Sequence, residues 1–307
     1  MTQIAADTGR LGARNAENAR MQHARAGQDG NIVLLPLYGI VTQRGNQVNQ
    51  VSGPGSTSTQ KFSAAMRQAM QDPSVDAVLI DIDSPGGSVY GIDELAAEII
   101  KNRSTKLIVG LANSLAASAA YWVGAACSEL YVTPGGEVGS IGVWQAHEDI
   151  SVALEDAGVK TTLISAGKFK TEGNPYQPLD GDAKAFMQQR VDEYYGAFTR
   201  RVAQGRGVSV DVVRRDFGQG RVYGASQALA AGMVNGVMTL DQVVAKMSRN
   251  LLLSNSNRAG IGGSSGQSTP RLASAQRTLA IHGIDRSTPA GANADRANVS
   301  ALATGRR

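Results

Sequence analysis

Short apolar runs alternate with segments of helical periodicity from residue 31 onward, and this alternation constrains the fold more than any other feature. "NIVLLPLYGIV" (31–41), "VDAVLIDI" (75–82), "KLIVGLA" (106–112), "ELYVT" (129–133) and "KTTLISA" (160–166) are the apolar runs. All five are read as strands, and "VDAVLIDI" is the short, continuously apolar kind that is buried on both faces of a parallel sheet. Helical spacing falls between them, over 60–72, 88–102, 116–126 and 149–157, and again over the long stretch 180–206. Strands that alternate with helices give a mostly parallel α/β sheet, because each parallel return needs a crossover that covers a face.

Charge divides the chain differently. Residues 251–307 hold seven arginines against Asp285 and Asp295, and residues 1–30 hold four arginines against three acids. With a net charge of +4 for the whole chain, residues 31–250 come to −2. The basic character belongs to the ends, so it is no argument for a nucleic-acid-binding domain. Three parts are predicted: a polar N-terminal arm (1–30), one folded domain (31–250) and a tail (251–307). The tail is rich in Ser, Gly, Ala and Arg and has too little apolar surface to offset the entropy of ordering it.

Cys127 is the one cysteine, which excludes an internal disulfide framework and fits a reducing compartment. At the end of an apolar helix it reads as a buried, inert thiol. No stretch reaches the roughly 18 apolar residues of a membrane span, and the N-terminus lacks the apolar centre of a secretory leader. A cytoplasmic protein is expected. Neither a Cys/His ligand cluster nor a GxxxxGK[ST] loop occurs, so neither a metal nor a nucleotide cofactor is expected.

Three segments could carry chemistry. In "DIDSPGGSVYG" (81–91), Pro85-Gly86-Gly87 follows a strand and predicts a turn. Such a turn is either a plain connection or a place where bare N–H groups meet a developing oxyanion. In "LAASAAYW" (115–122), Ser118 is either a small packing residue or a nucleophile at a helix start, with Ser114 suited to capping that helix. In "SAGKFKTEGNP" (165–175), Lys168 and Lys170 are either solvated loop residues or a source of a base. A histidine base is the alternative, and His147 in "VWQAHEDIS" lies 29 residues beyond Ser118, beside Glu148 and Asp149.

Taken in order, these segments, with "GEVGSIGVW" (136–144) between the last two, resemble the signal peptide peptidase A family of serine peptidases. The resemblance is strongest to its phage branch of head-maturation or capsid-assembly proteases and covers about residues 31–248. It implies a Clp protease/crotonase-like spiral of ββα units and a Ser-Lys dyad. Ser118 would be the nucleophile and Lys170 the general base, with Ser140 helping to hold the lysine. The N–H groups of Gly87 and Ala119 would form the oxyanion hole, with Gly86 supporting the turn.

The implied chemistry makes one demand. A lysine amine titrates near 10.4 in water and a working base near 7–8, a difference of about 4 kcal/mol. The amine must therefore be desolvated, and Tyr121, Trp122 and Phe169 are the expected dry wall. The resemblance further implies a homo-oligomer, in which serine and lysine meet across a subunit boundary in some members. Polypeptide substrates such as scaffold, portal or capsid proteins are implied, inside a procapsid and without membrane or specific nucleic acid. A Clp-like triad through His147 and a non-enzymatic capsid scaffold remain the alternatives, and the acyl-CoA chemistry of the crotonases is disfavoured by the lysine segment.

Overall fold

The computed structural model describes residues 31–44 and 56–260, together with the short strand at 280–281. The predicted arm (1–30) and the rest of the tail lie outside the described residues. Among the described residues, nine strands form a single sheet: β1 (Ile32–Thr42), β2 (Ser56–Ser58), β3 (Ala77–Gly87), β4 (Leu107–Ala117), β5 (Glu129–Val132), β6 (Glu137–Gly139), β7 (Val222–Gly224), β8 (Gly236–Val237) and β9 (Ala280–Ile281). The main path runs β2-β1-β3-β4-β5-β8, and every ladder is parallel except β6 with β7. The expected α/β architecture with a mostly parallel sheet is what the chain adopts.

Helices cover both faces, which is why the strands read as unbroken apolar runs. On one face Val33, Leu35, Leu37, Val78, Ile80 and Ile82 pack against four helices. These are α1 (Thr59–Gln71), α2 (Ile92–Asn102), α3 (Ala119–Ala125) and the C-terminal half of α5 (Gly181–Arg206). The short α4 (Ser151–Asp156) precedes α5 in the chain and buries none of its residues. On the other face Ile32, Leu34, Leu79, Val109, Leu111 and Tyr131 pack under Val243, Val244 and Met247. Those three belong to α8 (Leu240–Gly260), which follows α6 (Val210–Asp216) and α7 (Ala225–Ala230). The compositional boundary at residue 251 falls inside α8.

Several local expectations are corrected. "KTTLISA" forms no strand: residues 160–166 are irregular and exposed, and Ile164 is 96% accessible. Among the described residues this segment pairs with no strand, and an unpaired strand is not stable by itself. Pro85-Gly86-Gly87 does not turn the chain away, because β3 continues through Gly87 and pairs there with Val41. β4 likewise continues to Ala117, so the alanine-rich helix starts at 119, and Ser114 is an exposed strand residue rather than a cap.

Candidate active site

Ser118 occupies the single residue between β4 and α3, with φ 53° and ψ −123°. A non-glycine residue reaches positive φ only when its surroundings over-determine it. Here two contacts do so. The Ser118 N–H donates to the Gly139 carbonyl at 2.8 Å, and the Ser118 carbonyl accepts from the Trp122 N–H at 3.0 Å, opening α3. The first bond anchors the turn to the end of β6, and the second commits the chain to the helix. Ser118 is half-buried at this corner.

The end of β3 lies directly against it. A β-carbon on Gly86 would meet the Ser118 β-carbon at 2.7 Å, the Ala117 carbonyl at 2.8 Å and the Ala119 nitrogen at 3.0 Å. Gly86 also has φ +98°, so the position requires glycine twice over. Gly87 is as constrained, since a β-carbon there would lie 2.0 Å from the Val41 carbonyl oxygen. The Ser88 N–H bonds that same carbonyl at 2.9 Å. In a parallel ladder bridged this way, the intervening Gly87 N–H faces away from β1, toward the β4 side where Ser118 lies. The Ala119 N–H opens α3, and no residue four back in a helix accepts from it. Gly87 and Ala119 thus bring two main-chain donors to the same corner.

Sequence reasoning passed over Ser84, although it stands inside the quoted DSPGG stretch. Its hydroxyl is fully buried, donates to the Gly39 carbonyl at 2.6 Å and accepts from the Gly86 N–H at 3.1 Å. It pins β1 to the glycine pair. A second brace comes from far along the chain. Ser140 also has positive φ, 54°, and its N–H donates to the Arg221 carbonyl at 2.8 Å. β7 pairs antiparallel with β6 at the same place, so Gly139 and Ser140 are held against Ser118 by residues 221–224.

The far end of α3 is fixed equally firmly. The Arg103 guanidinium donates through Nη1 to the carbonyls of Ala126, Cys127 and Gly205, at 3.1, 2.9 and 3.0 Å. Every residue of α3 is buried. Tyr121 donates its hydroxyl to the Met233 carbonyl at 2.9 Å, and burial pushes its phenol well above the usual range. Trp122 stacks on Phe198 at 4.5 Å. These aromatics belong to the core and do not wall in a lysine, contrary to the expectation from sequence. Cys127 is buried as expected, and desolvation pushes its thiol up to about 12.

Lys170 is exposed, on an arm formed by residues 143–180. It lies in the turn after Gly167, whose carbonyl accepts its N–H at 3.1 Å. Lys168 stands over the Phe169 ring at 4.7 Å, and that ring is 59% accessible rather than part of a dry pocket. Among the described residues, neither the Ser118 hydroxyl nor the Lys170 ammonium has a hydrogen-bond partner. His147 closes the base of the arm: its Nε2 meets the Asn174 carbonyl at 2.9 Å, and beside it the Ile150 N–H donates to the Pro175 carbonyl at 2.9 Å. Asp149 accepts from the Ser151 N–H at 2.9 Å just ahead of α4, and hydrogen bonds from the Ser151 side chain and N–H hold its carboxyl below the usual range. No group of three or more His, Cys, Asp or Glu side chains among the described residues is placed to hold a metal.

The family profile described as "Peptidase family S49" matches residues 100–254, half of the chain, from the end of α2 through the arm to α8. The chain belongs to this peptidase family. Among its relatives, the capsid assembly protease C of Escherichia phage lambda is 35% identical over 70% of this chain and 48% of its own length. The head-tail preconnector protein GP5 of Enterobacteria phage P21 is 34% identical over 82% of this chain and 49% of its own. Protease 4 of Salmonella typhi is 27% identical over 63% and 31%. The chain spans about half the length of the two phage relatives it matches. A solved membrane-bound stomatin-specific protease superposes at a TM-score of 0.45 and 15% identity, over 71% of this chain and 84% of that one. No helix among the described residues is long and apolar enough to cross a membrane.

Proposed function

We propose that this S49-family chain is a serine endopeptidase with Ser118 as nucleophile and Lys170 as general base, acting in phage capsid assembly on scaffold, portal or capsid polypeptides. The observation that carries the reading is the strained Ser118 turn packed against Gly86. A residue with no structural need for a side chain keeps a hydroxyl there at positive φ, beside two outward main-chain donors. In this scheme neutral Lys170 accepts the Ser118 proton as the oxygen attacks the peptide carbonyl. The N–H groups of Gly87 and Ala119 receive the oxyanion. The lysine then protonates the leaving amine, and water releases the acyl group from Ser118.

Lysine is preferred to His147 because the histidine Nε2 is engaged with the Asn174 carbonyl, holding the arm. The exposed position of Lys170 agrees with a homo-oligomer in which one copy's arm reaches the Ser118 corner of the next. Trp144, Ile164 and Phe169 on that arm are 84, 96 and 59% accessible in the single chain, apolar area suited to burial at such a contact.

Intact-mass analysis of the parent, Ser118→Ala, Lys170→Ala and His147→Ala proteins tests the reading, with each incubated alone and with co-expressed capsid and scaffold proteins. Cleavage by the parent and by His147→Ala, lost in the other two, is the expected result. Cleavage by Lys170→Ala overturns the dyad, and identical behaviour of all four overturns the enzymatic reading.

A further inference from the structure

Among the described residues, the outer edge of β1 is covered in stretches, and one of them is covered by the tail. The Asn31 carbonyl accepts from the Ala77 N–H of β3 at 3.2 Å. By strand alternation the backbone of Val33, Leu35 and Leu37 also faces β3, whereas that of Ile32, Leu34, Pro36 and Tyr38 faces outward. Tyr38 agrees with this assignment. Its N–H donates to the Thr57 hydroxyl at 3.0 Å, and the same hydroxyl donates to its carbonyl at 2.8 Å. Beyond it, Ile40–Thr42 pair with β2. Pro36 has no N–H to offer, and proline is tolerated in a strand when its nitrogen faces an open edge. The remaining outward groups are the backbone N–H and C=O of Ile32 and Leu34, with the Pro36 carbonyl beyond them.

That stretch is where β9 lies, parallel, with Val33 opposite Ala280 and Leu34 opposite Ile281. Pro36 explains why the ladder is so short, since the next outward position cannot donate. We infer that the Ile32–Leu34 edge is a strand-acceptor site whose resident is the chain's own C-terminal segment centred on Ala280–Ile281, docked from the same molecule. A ladder of two bridges is marginal for a free peptide. Covalent connection through residues 261–279 makes the docking intramolecular and supplies the effective concentration a free strand lacks. The segment covers unpaired donors and acceptors that would otherwise pair with a foreign strand. This inference concerns the sheet edge and does not rest on the proposed peptidase mechanism.

Hydrogen exchange of the Leu34 amide reads it directly in the full chain. In the parallel register Ala280 presents its own N–H and C=O to β1, so Ala280→Pro removes the donor without touching the domain. The expected result is at least a tenfold faster Leu34 exchange in Ala280→Pro, with Ser274→Pro behaving as the parent. Addition of a synthetic peptide of residues 276–284 at about 1 mM or above, on the order of the effective concentration a short tether supplies, restores protection in Ala280→Pro but adds none to the parent. Unchanged Leu34 exchange in Ala280→Pro overturns the site. Protection that rises with protein concentration in the parent overturns docking from the same molecule and assigns the strand to a second copy.

Discussion

A β-carbon on Gly86 would stand 2.7 Å from the β-carbon of Ser118, closer than two such atoms approach in folded chains. The end of β3 and the turn after β4 are therefore in contact at the one place where each has abandoned ordinary backbone conformation. Gly86→Ala must move one of them. With φ +98° the new side chain also adds strain of about 1–3 kcal/mol. Displacing the proposed nucleophile by as little as about 1 Å is expected to cost on the order of 100-fold in rate. Steady-state cleavage of a peptide substrate beside a thermal melt should show kcat falling by about that factor in a chain that still folds.

Ser118→Gly separates strain from chemistry. Glycine accepts φ 53° freely, so the variant should be more stable than the parent by about 1 kcal/mol, or roughly 2–4 °C in Tm. It should also be inactive. Calorimetry that shows a lower Tm would mean that the Ser118 backbone is not strained.

Arg103 is the clamp on the far end of α3. Arg103→Ala leaves the Ala126, Cys127 and Gly205 carbonyls without their charged donor, at a cost of about 2–3 kcal/mol. Urea denaturation should record this as a lower midpoint with an unchanged slope.

Cys127 should be silent under native conditions. With its thiol pushed up to about 12 and its side chain buried, no thiolate forms near neutrality. A thiol reagent at pH 8 should label only unfolded protein. The same displacement contributes to the alkaline pH dependence of stability. The folded thiol holds its proton where an unfolded one, near 9, has lost it, so this stabilisation is complete below pH 9. It drains away as the pH rises from 9 to 12, and Tyr121, displaced in the same direction, adds a second loss above pH 10. Tm measured across pH 7–12 should be level at first and then fall. A profile that falls from pH 7 would contradict this.

Periodicity located most of the sheet because it reports burial. Strands over 31–41, 75–82, 106–112 and 129–133 were legible as apolar runs, and β1, β3, β4 and β5 lie on them. The same signal misread 160–166, whose apolar residues face solvent in the single chain. It also stopped too soon at Pro85-Gly86-Gly87, where glycines that suggest a turn serve close approach instead. β2, β6, β7 and β8 have three residues or fewer and carry no period of their own. They exist because a longer strand offers them an edge.

Ser118, Gly86 and Gly87 could be marked from local sequence only as candidates, because a small or permissive residue fits a plain connection as well as a site, and Ser140 entered through the family resemblance alone. The sequence by itself determined the α/β class, the buried strands, the inert cysteine and the short stretches from which a site could be built. Tertiary structure alone decided that Ser118 takes positive φ and that Ser84 and the Arg221 carbonyl brace its corner. It also decided that Tyr121 and Trp122 turn into the core and that Lys170 stands on an exposed arm. Those outcomes depend on groups separated by tens of residues that meet only when the sheet has formed, and no local pattern encodes a contact whose other half lies so far along the chain.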